Sequence, residues 1–229
     1  MARHAAHYLG LLDLPFQTWT RSEGPEALAS RADHASHVLV LVSDRAIVGL
    51  LADNVVLQMK TCVHFSGSVT TPLAFGAHPL MTFSKDLYSL DEYRKIPFVL
   101  ERDRETALNA ILPGLPNASF SIESSEKPLY HALCAMAGNY TVMLWEKIFA
   151  SFEGELGLPK SVLIPYLQRI TQNLAEAEES VLTGPLVRGD RDTVASHLAA
   201  LANDPYADVY RAFVSAYDNG NGYDKGGSA

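Results

Sequence analysis

Along the first half of the chain, short apolar runs bounded by turn residues alternate with segments of helical period. Ala2 to Leu12 has a helical pattern, Phe16 to Thr20 reads as a strand running into Trp19-Thr20-Arg21-Ser22, and Val38 to Val42 reads as another. Asp44 to Leu57 follows as a helix, Lys60 to Phe65 as a strand, Ala74 to Pro79 as a short extended piece and Ile96 to Glu101 as a further strand. Arg102 to Leu112 is helix-like, and Ala118 to Glu123 is the last strand before Lys127-Pro128. Runs of this length suit strands buried on both faces of a parallel sheet, and their alternation with helices predicts an α/β sheet covered on both sides.

From Pro128 the rhythm is helical throughout. Tyr130 to Phe152 is apolar almost all round, which predicts a helix buried in a domain or subunit core, and with it a homodimer. A second helix starts at Leu158-Pro159 and reaches about Val181, until Gly184-Pro185 and Gly189 break the pattern. Asp190 reads as the N-cap of a helix from Arg191 to Leu201, and Asp204-Pro205 opens the last helix, to about Tyr217. The expected organisation is an α/β domain over residues 1–125, an all-helical domain over 126–218 and a disordered Gly- and Asn-rich tail over 219–229.

Composition narrows the partners. The 229 residues are 48% hydrophobic and 19% charged, as in an ordinary folded protein. A formal charge of -8 argues against a surface built for phosphate backbones, so nucleic acid is not an expected partner. Cys62 and Cys134 sit in apolar stretches without a Cys or His at metal-ligand spacing, and read as free thiols. No signal-peptide pattern and no stretch of about 20 apolar residues occurs, which points to the cytoplasm and away from a membrane.

Several strings carry candidate chemistry. A dinucleotide fold opens with an apolar strand and a G-x-G-x-x-G turn, and neither precedes Met1 in this sequence. The pattern therefore reads as a dinucleotide-binding unit entered one strand late, and the chain is expected to bind a dinucleotide poorly. Arg21 and Ser22 stand where such a fold meets the adenosine ribose. An Arg there, with no acid, suits the 2′-phosphate of NADP, and is equally a solvated loop residue. Val42, Ser43 and Asp44 end a strand and begin a helix along the cofactor crevice, with Asp44 also readable as the helix N-cap. Ser66, in His64-Phe65-Ser66-Gly67-Ser68, has the same position one strand later, although Ser-Gly-Ser is also plain turn chemistry. His78 in Gly76-Ala77-His78-Pro79-Leu80 is held before a proline, and a near-neutral imidazole there can exchange a proton with a substrate oxygen. The loop Leu182 to Asp190 brings out Thr183 and Arg188, the latter apt for a carboxylate or phosphate. His131, Asn139, Gln172 and Asn173 are polar residues within the flanking helices, of which Asn139 is taken as a substrate-facing candidate.

These strings, with Ser43-Asp44-Arg45-Ala46-Ile47, Ala77-His78-Pro79-Leu80-Met81-Thr82-Phe83 and Ser196-His197-Leu198, resemble an uncharacterised family of Rossmann-like oxidoreductases that pair an NADP-binding domain with a C-terminal all-helical domain of unknown function. The resemblance covers roughly Met1 to Val214, and extends more distantly to 6-phosphogluconate dehydrogenase-like enzymes, including pyrroline-5-carboxylate reductase and prephenate dehydrogenase. It implies an NADP-dependent oxidoreductase acting on a small carboxylate-bearing substrate in an interdomain cleft. His78 would be acid or base, Ser66 would position substrate or carboxamide, and Arg188 would anchor an anion. Gly76 to Leu80 matches the Gly-x-His-Pro-Met string of prephenate dehydrogenases except at Leu80. The alternative is a non-catalytic binding or regulatory protein with a degenerate dinucleotide fold.

Overall fold

The computed structural model describes residues 1–102 and 107–223. A five-stranded sheet in the order β1 to β5 organises the first half: β1 His37–Val40, β2 Thr61–His64, β3 Phe75–Pro79, β4 Phe98–Glu101 and β5 Ser119–Ile122. Pairing is parallel except between β3 and β4. Helices α1 Ala2–Leu11, α2 Gly24–Asp33, α3 Asp44–Asp53, α4 Val55–Gln58, α5 Leu90–Arg94 and α6 Leu108–Ile111 surround it. A Rossmann-like α/β arrangement results, as the alternation of apolar runs predicts.

Side-chain alternation divides the sheet into two unlike faces. Val40 and Cys62 pack against Leu28, Ala32, Ile47, Leu51 and Leu57 of α2, α3 and α4. Val63, Ala77, Phe98 and Leu100 point the other way, against Leu108 and Ile111 of α6. Register carries the first face across to the chemistry: His64 pairs with Gly76 and His78 with Val99, so His64, Gly76, His78 and Glu101 share it.

Three sequence expectations change here. Phe16–Thr20 forms no strand; Thr20 is extended but caps a 3₁₀ turn at Arg21–Glu23, and β1 is the edge of the sheet. A strand needs a ladder partner, which local patterning does not supply. The expected helix Asp44 to Leu57 breaks at Asn54, whose non-helical backbone separates α3 from α4. Of the expected helix from Arg102 to Leu112, the described residues form an α-helix at Leu108–Ile111; residues 103–106 lie outside those described.

The remaining helices are α7 Lys127–Ala135, a π-helical segment Met136–Tyr140, α8 Thr141–Gly154, α9 Ile164–Glu176, α10 Pro185–Arg188, α11 Arg191–Ala200 and α12 Tyr206–Tyr223. Two units divide the chain, Met1–Ile148 and Phe149–Ala229. Asp190 caps α11 as expected, its carboxylate accepting from the Thr193 amide at 3.0 Å. Gly184 and Gly189 take φ of +97° and +69°, which is why this loop requires glycine at both places. The last helix runs to Tyr223, past Tyr217, and the rest of the expected tail, 224–229, lies outside the described residues.

Candidate functional site

The polar end of the first sheet face meets one stripe of α7. Lys127, Tyr130, His131 and Cys134 stand at i, i+3, i+4 and i+7, which places them on the same side of a helix. Leu129 and Leu133, by contrast, are more than half exposed. This helix therefore turns its polar stripe inward and its apolar stripe outward, the reverse of a surface helix. The expectation that the apolar residues of 130–152 are buried fails within this chain, since Met136, Tyr140, Val142 and Met143 are also exposed.

Lys127 is the deepest member. Its ammonium, with the side chain 4% exposed, lies 2.7 Å from Glu101 Oε1 and also donates to the carbonyl of Val69. Gly76 makes room for the pair: a Cβ there would lie 2.7 Å from Glu101 Oε1 and 2.9 Å from Lys127 Nζ. The buried ion pair thus ties α7 to β4, β3 and the turn after β2.

That turn is locked from inside. The Ser66 hydroxyl donates to Asp44 Oδ2 at 2.7 Å and accepts from the amides of Ser68 at 3.2 Å and Val69 at 3.0 Å. One donor and two acceptor sites are all a serine hydroxyl has. Ser66 is buried, and its geometry is that of a group holding the turn and Asp44 in place. Asp44 is not the N-cap of α3, as one sequence reading had it; Ser43 holds that position without a side-chain bond to the first-turn amides, and the Asp44 carboxylate turns to Ser66 and to Ser68 Oγ at 3.2 Å. His64, fully buried, accepts at Nδ1 from the Ser66 amide at 3.3 Å.

His78 completes the cluster. Its Nδ1 lies 2.7 Å from Tyr130 Oη, and its ring stands nearly perpendicular to that of His131 with centroids 6.1 Å apart. Gly67 is the floor beneath both imidazoles. A Cβ there would fall 2.5 Å from His131 Nδ1 and 3.2 Å from His78 Nε2. Among the described residues His131 Nδ1 is a buried ring nitrogen without a hydrogen-bond partner. Burial, then the charges of His131 and Lys127, depress the His78 pKa to about 4 against an opposing pull from Asp44. The near-neutral imidazole expected from sequence is therefore a neutral one at physiological pH. Burial and a hydrogen bond with Cys134 push the Tyr130 hydroxyl up.

The sequence-derived candidates separate into groups. Asp44, Ser66 and His78 come together at the carboxyl ends of β1 and β2 and on β3. Val42 packs against the apolar core under α3. Arg21 and Ser22 are exposed in the 3₁₀ turn, where Ser22 Oγ meets Thr20 Oγ1 at 2.9 Å; no hydrogen bond among the described residues joins them to the cluster. Asn139 is exposed in the π-helical segment. Thr183 and Arg188 belong to the second unit, where both are exposed and Arg188 lies close enough to Asp190 to lower its pKa. Lys127, Tyr130 and Glu101 went unnoticed in the sequence and His131 was assigned only in passing, although the i, i+3, i+4, i+7 spacing of α7 was there to be read.

Residues 96–217 match the model of the family described as Domain of unknown function (DUF2520). No curated protein matches the sequence significantly. Among solved structures, a candidate NADP oxidoreductase from Bacteroides fragilis is 23% identical, with a TM-score of 0.72 over 94% of this chain and 93% of that one. An imine reductase from Streptomyces aurantiacus is 13% identical, with a TM-score of 0.58 over 96% and 91%. A pyrroline carboxylate reductase from Plasmodium falciparum, solved with NADP bound, is 12% identical, with a TM-score of 0.50 over 82% and 77%. These likenesses establish a shared fold. Among the described residues no helix is long and apolar enough to cross a membrane.

Proposed function

This chain belongs to the DUF2520 family, and from that premise and its Rossmann-like fold we propose that it is an NADP-dependent oxidoreductase acting on a small carboxylate-bearing substrate. The observation that carries the reading is the convergence of Asp44, Ser66, His78, Tyr130 and His131 around Gly67 at the carboxyl ends of parallel strands, the place where open α/β sheets bind ligands.

The donor set suits a dinucleotide. The first-turn amides of α3 lack a side-chain cap at Ser43, and such amides favour an anion or a ribose hydroxyl; Arg21 is an exposed guanidinium of the kind that takes a 2′-phosphate. When bound, NADPH supplies the hydride. The chain's own work is orientation: Ser66 fixes the turn and Asp44, while His78 offers a neutral imidazole to a substrate oxygen. The exposed stripe Leu129, Leu133, Met136, Tyr140 and Met143 supports a homodimer.

Calorimetry with NADPH and NADH, followed by a panel of keto acids and cyclic imino acids with NADPH oxidation as the readout, tests this. NADPH is expected to bind in preference to NADH, and His78→Ala to remove turnover while leaving NADPH affinity within about threefold. Because the chain is expected to bind a dinucleotide poorly, both nucleotides are tested to millimolar concentration; failure of both to bind even there would overturn the reading in favour of a cofactor-free binding protein.

A further inference from the structure

We propose that Tyr130 is a positioning residue that locks His78 in a single tautomer, with Nδ1 unprotonated and Nε2–H turned toward Gly67. This goes beyond the proposed reaction, because the tautomer follows from the protein's own contacts. Only its consequence for ligand chemistry rests on that reaction.

The geometry supplies the argument. His78 Nδ1 and Tyr130 Oη lie 2.7 Å apart, a distance at which one of the two must donate. A neutral imidazole has one N–H and one bare nitrogen, and its partner decides which is which. Two directions of donation are possible: His78 Nδ1–H to the phenol oxygen, or the phenol O–H to a bare Nδ1. The phenol O–H is the more acidic donor and the bare imidazole nitrogen the stronger acceptor, so the second direction pairs the best donor with the best acceptor and leaves Nε2 carrying the proton.

Surrounding groups hold the ring in that state. Lys127 and His131 oppose a second proton on His78, and Asp44, the acid that favours one, is engaged by Ser66 and Ser68. The Nε2 edge faces Gly67, where a Cβ would fall 3.2 Å from Nε2 and 2.5 Å from His131 Nδ1. A ring fixed this way presents a donor, so it takes a ligand with a lone pair, a carbonyl or carboxylate oxygen, and not an ammonium or protonated imine, which has none to give.

Nitrogen-15 NMR of histidine-labelled protein at neutral pH reads the tautomer directly, without cofactor or substrate. The His78 signals are identified by their loss in His78→Gln. In the unsubstituted chain Nδ1 is expected to resonate as an unprotonated nitrogen and Nε2 as a protonated one; in Tyr130→Phe both are expected to move toward intermediate values as the two tautomers mix. A protonated Nδ1 in the unsubstituted chain, or identical His78 spectra with and without the Tyr130 hydroxyl, would overturn the proposal. The unsubstituted spectrum decides alone if Tyr130→Phe does not fold, and neither result depends on whether NADPH binds.

Discussion

His78 shows how far an environment moves a residue from its ordinary chemistry. Burial, reinforced by the neighbouring charges of His131 and Lys127, takes its pKa from 6.5 to about 4. Protonation thus favours the unfolded chain, which binds the proton near pH 6.5 while the folded chain refuses it until about pH 4. The contribution of His78 to stability is complete above pH 6.5 and is lost as pH falls between 6.5 and about 4, by on the order of 3 kcal/mol across that window. Several carboxylates, Glu23, Glu92, Asp190 and Asp218, are held below their usual range by partners and add their own acid sensitivity. The difference between the unsubstituted chain and His78→Gln isolates the imidazole. Urea unfolding is expected to show the variant losing clearly less stability than the parent between pH 7 and pH 4.5; parallel losses would mean that His78 titrates near its ordinary value.

At the scale of elements, α7 owes its placement to one buried pair. Removing the Lys127 ammonium leaves the Glu101 carboxylate, 4% exposed, without its counter-charge and Val69 without its donor. Lys127→Met is expected to cost about 3–5 kcal/mol in chemical unfolding, and Lys127→Met with Glu101→Leu to recover a large part of it, because the penalty is an orphaned charge and not a lost attraction. Full additivity of the two substitutions would count against the pair. Legibility in the sequence follows the same line between local and distant causes. Asp190 as a cap and the positive-φ glycines of the 184–189 loop are local, and reading them from sequence succeeded. The Ser89 and Glu92 capping box of α5 and the Pro25 that opens α2 were equally local signals, and both helices went unread. Phe16–Thr20 misled because a strand depends on a neighbour that its own pattern does not reveal. The site was half legible: His78, Ser66 and Asp44 were found as strand-end residues, but Tyr130 and Lys127, some fifty residues away from the turn they meet, come into view only when the helix is laid on the sheet.

For the molecule as a whole, the inverted α7 leaves an apolar seam facing solvent. Leu129, Leu133, Met136, Tyr140 and Met143 are spaced by four, three, four and three residues through the π-helical segment, and each is more than half exposed. That spacing is the seam by which helices pack along their length, and an isolated monomer gains nothing by presenting it to water. A two-fold interface uses the same patch on both copies, so one substitution enters it twice. Leu133→Glu sets two carboxylates into such a seam. Its side chain is exposed within the chain, so the substitution is expected to change the fold's own stability by less than about 0.5 kcal/mol. Sedimentation is expected to give twice the chain mass for the unsubstituted protein and the single mass for Leu133→Glu, with matching circular dichroism. Lys85→Glu, exposed in the loop before α5 and outside this stripe, is expected to leave the dimer intact. A Leu133→Glu variant that remains dimeric would place the self-association surface elsewhere, and a monomeric parent would rule out a second copy as the occupant of the stripe.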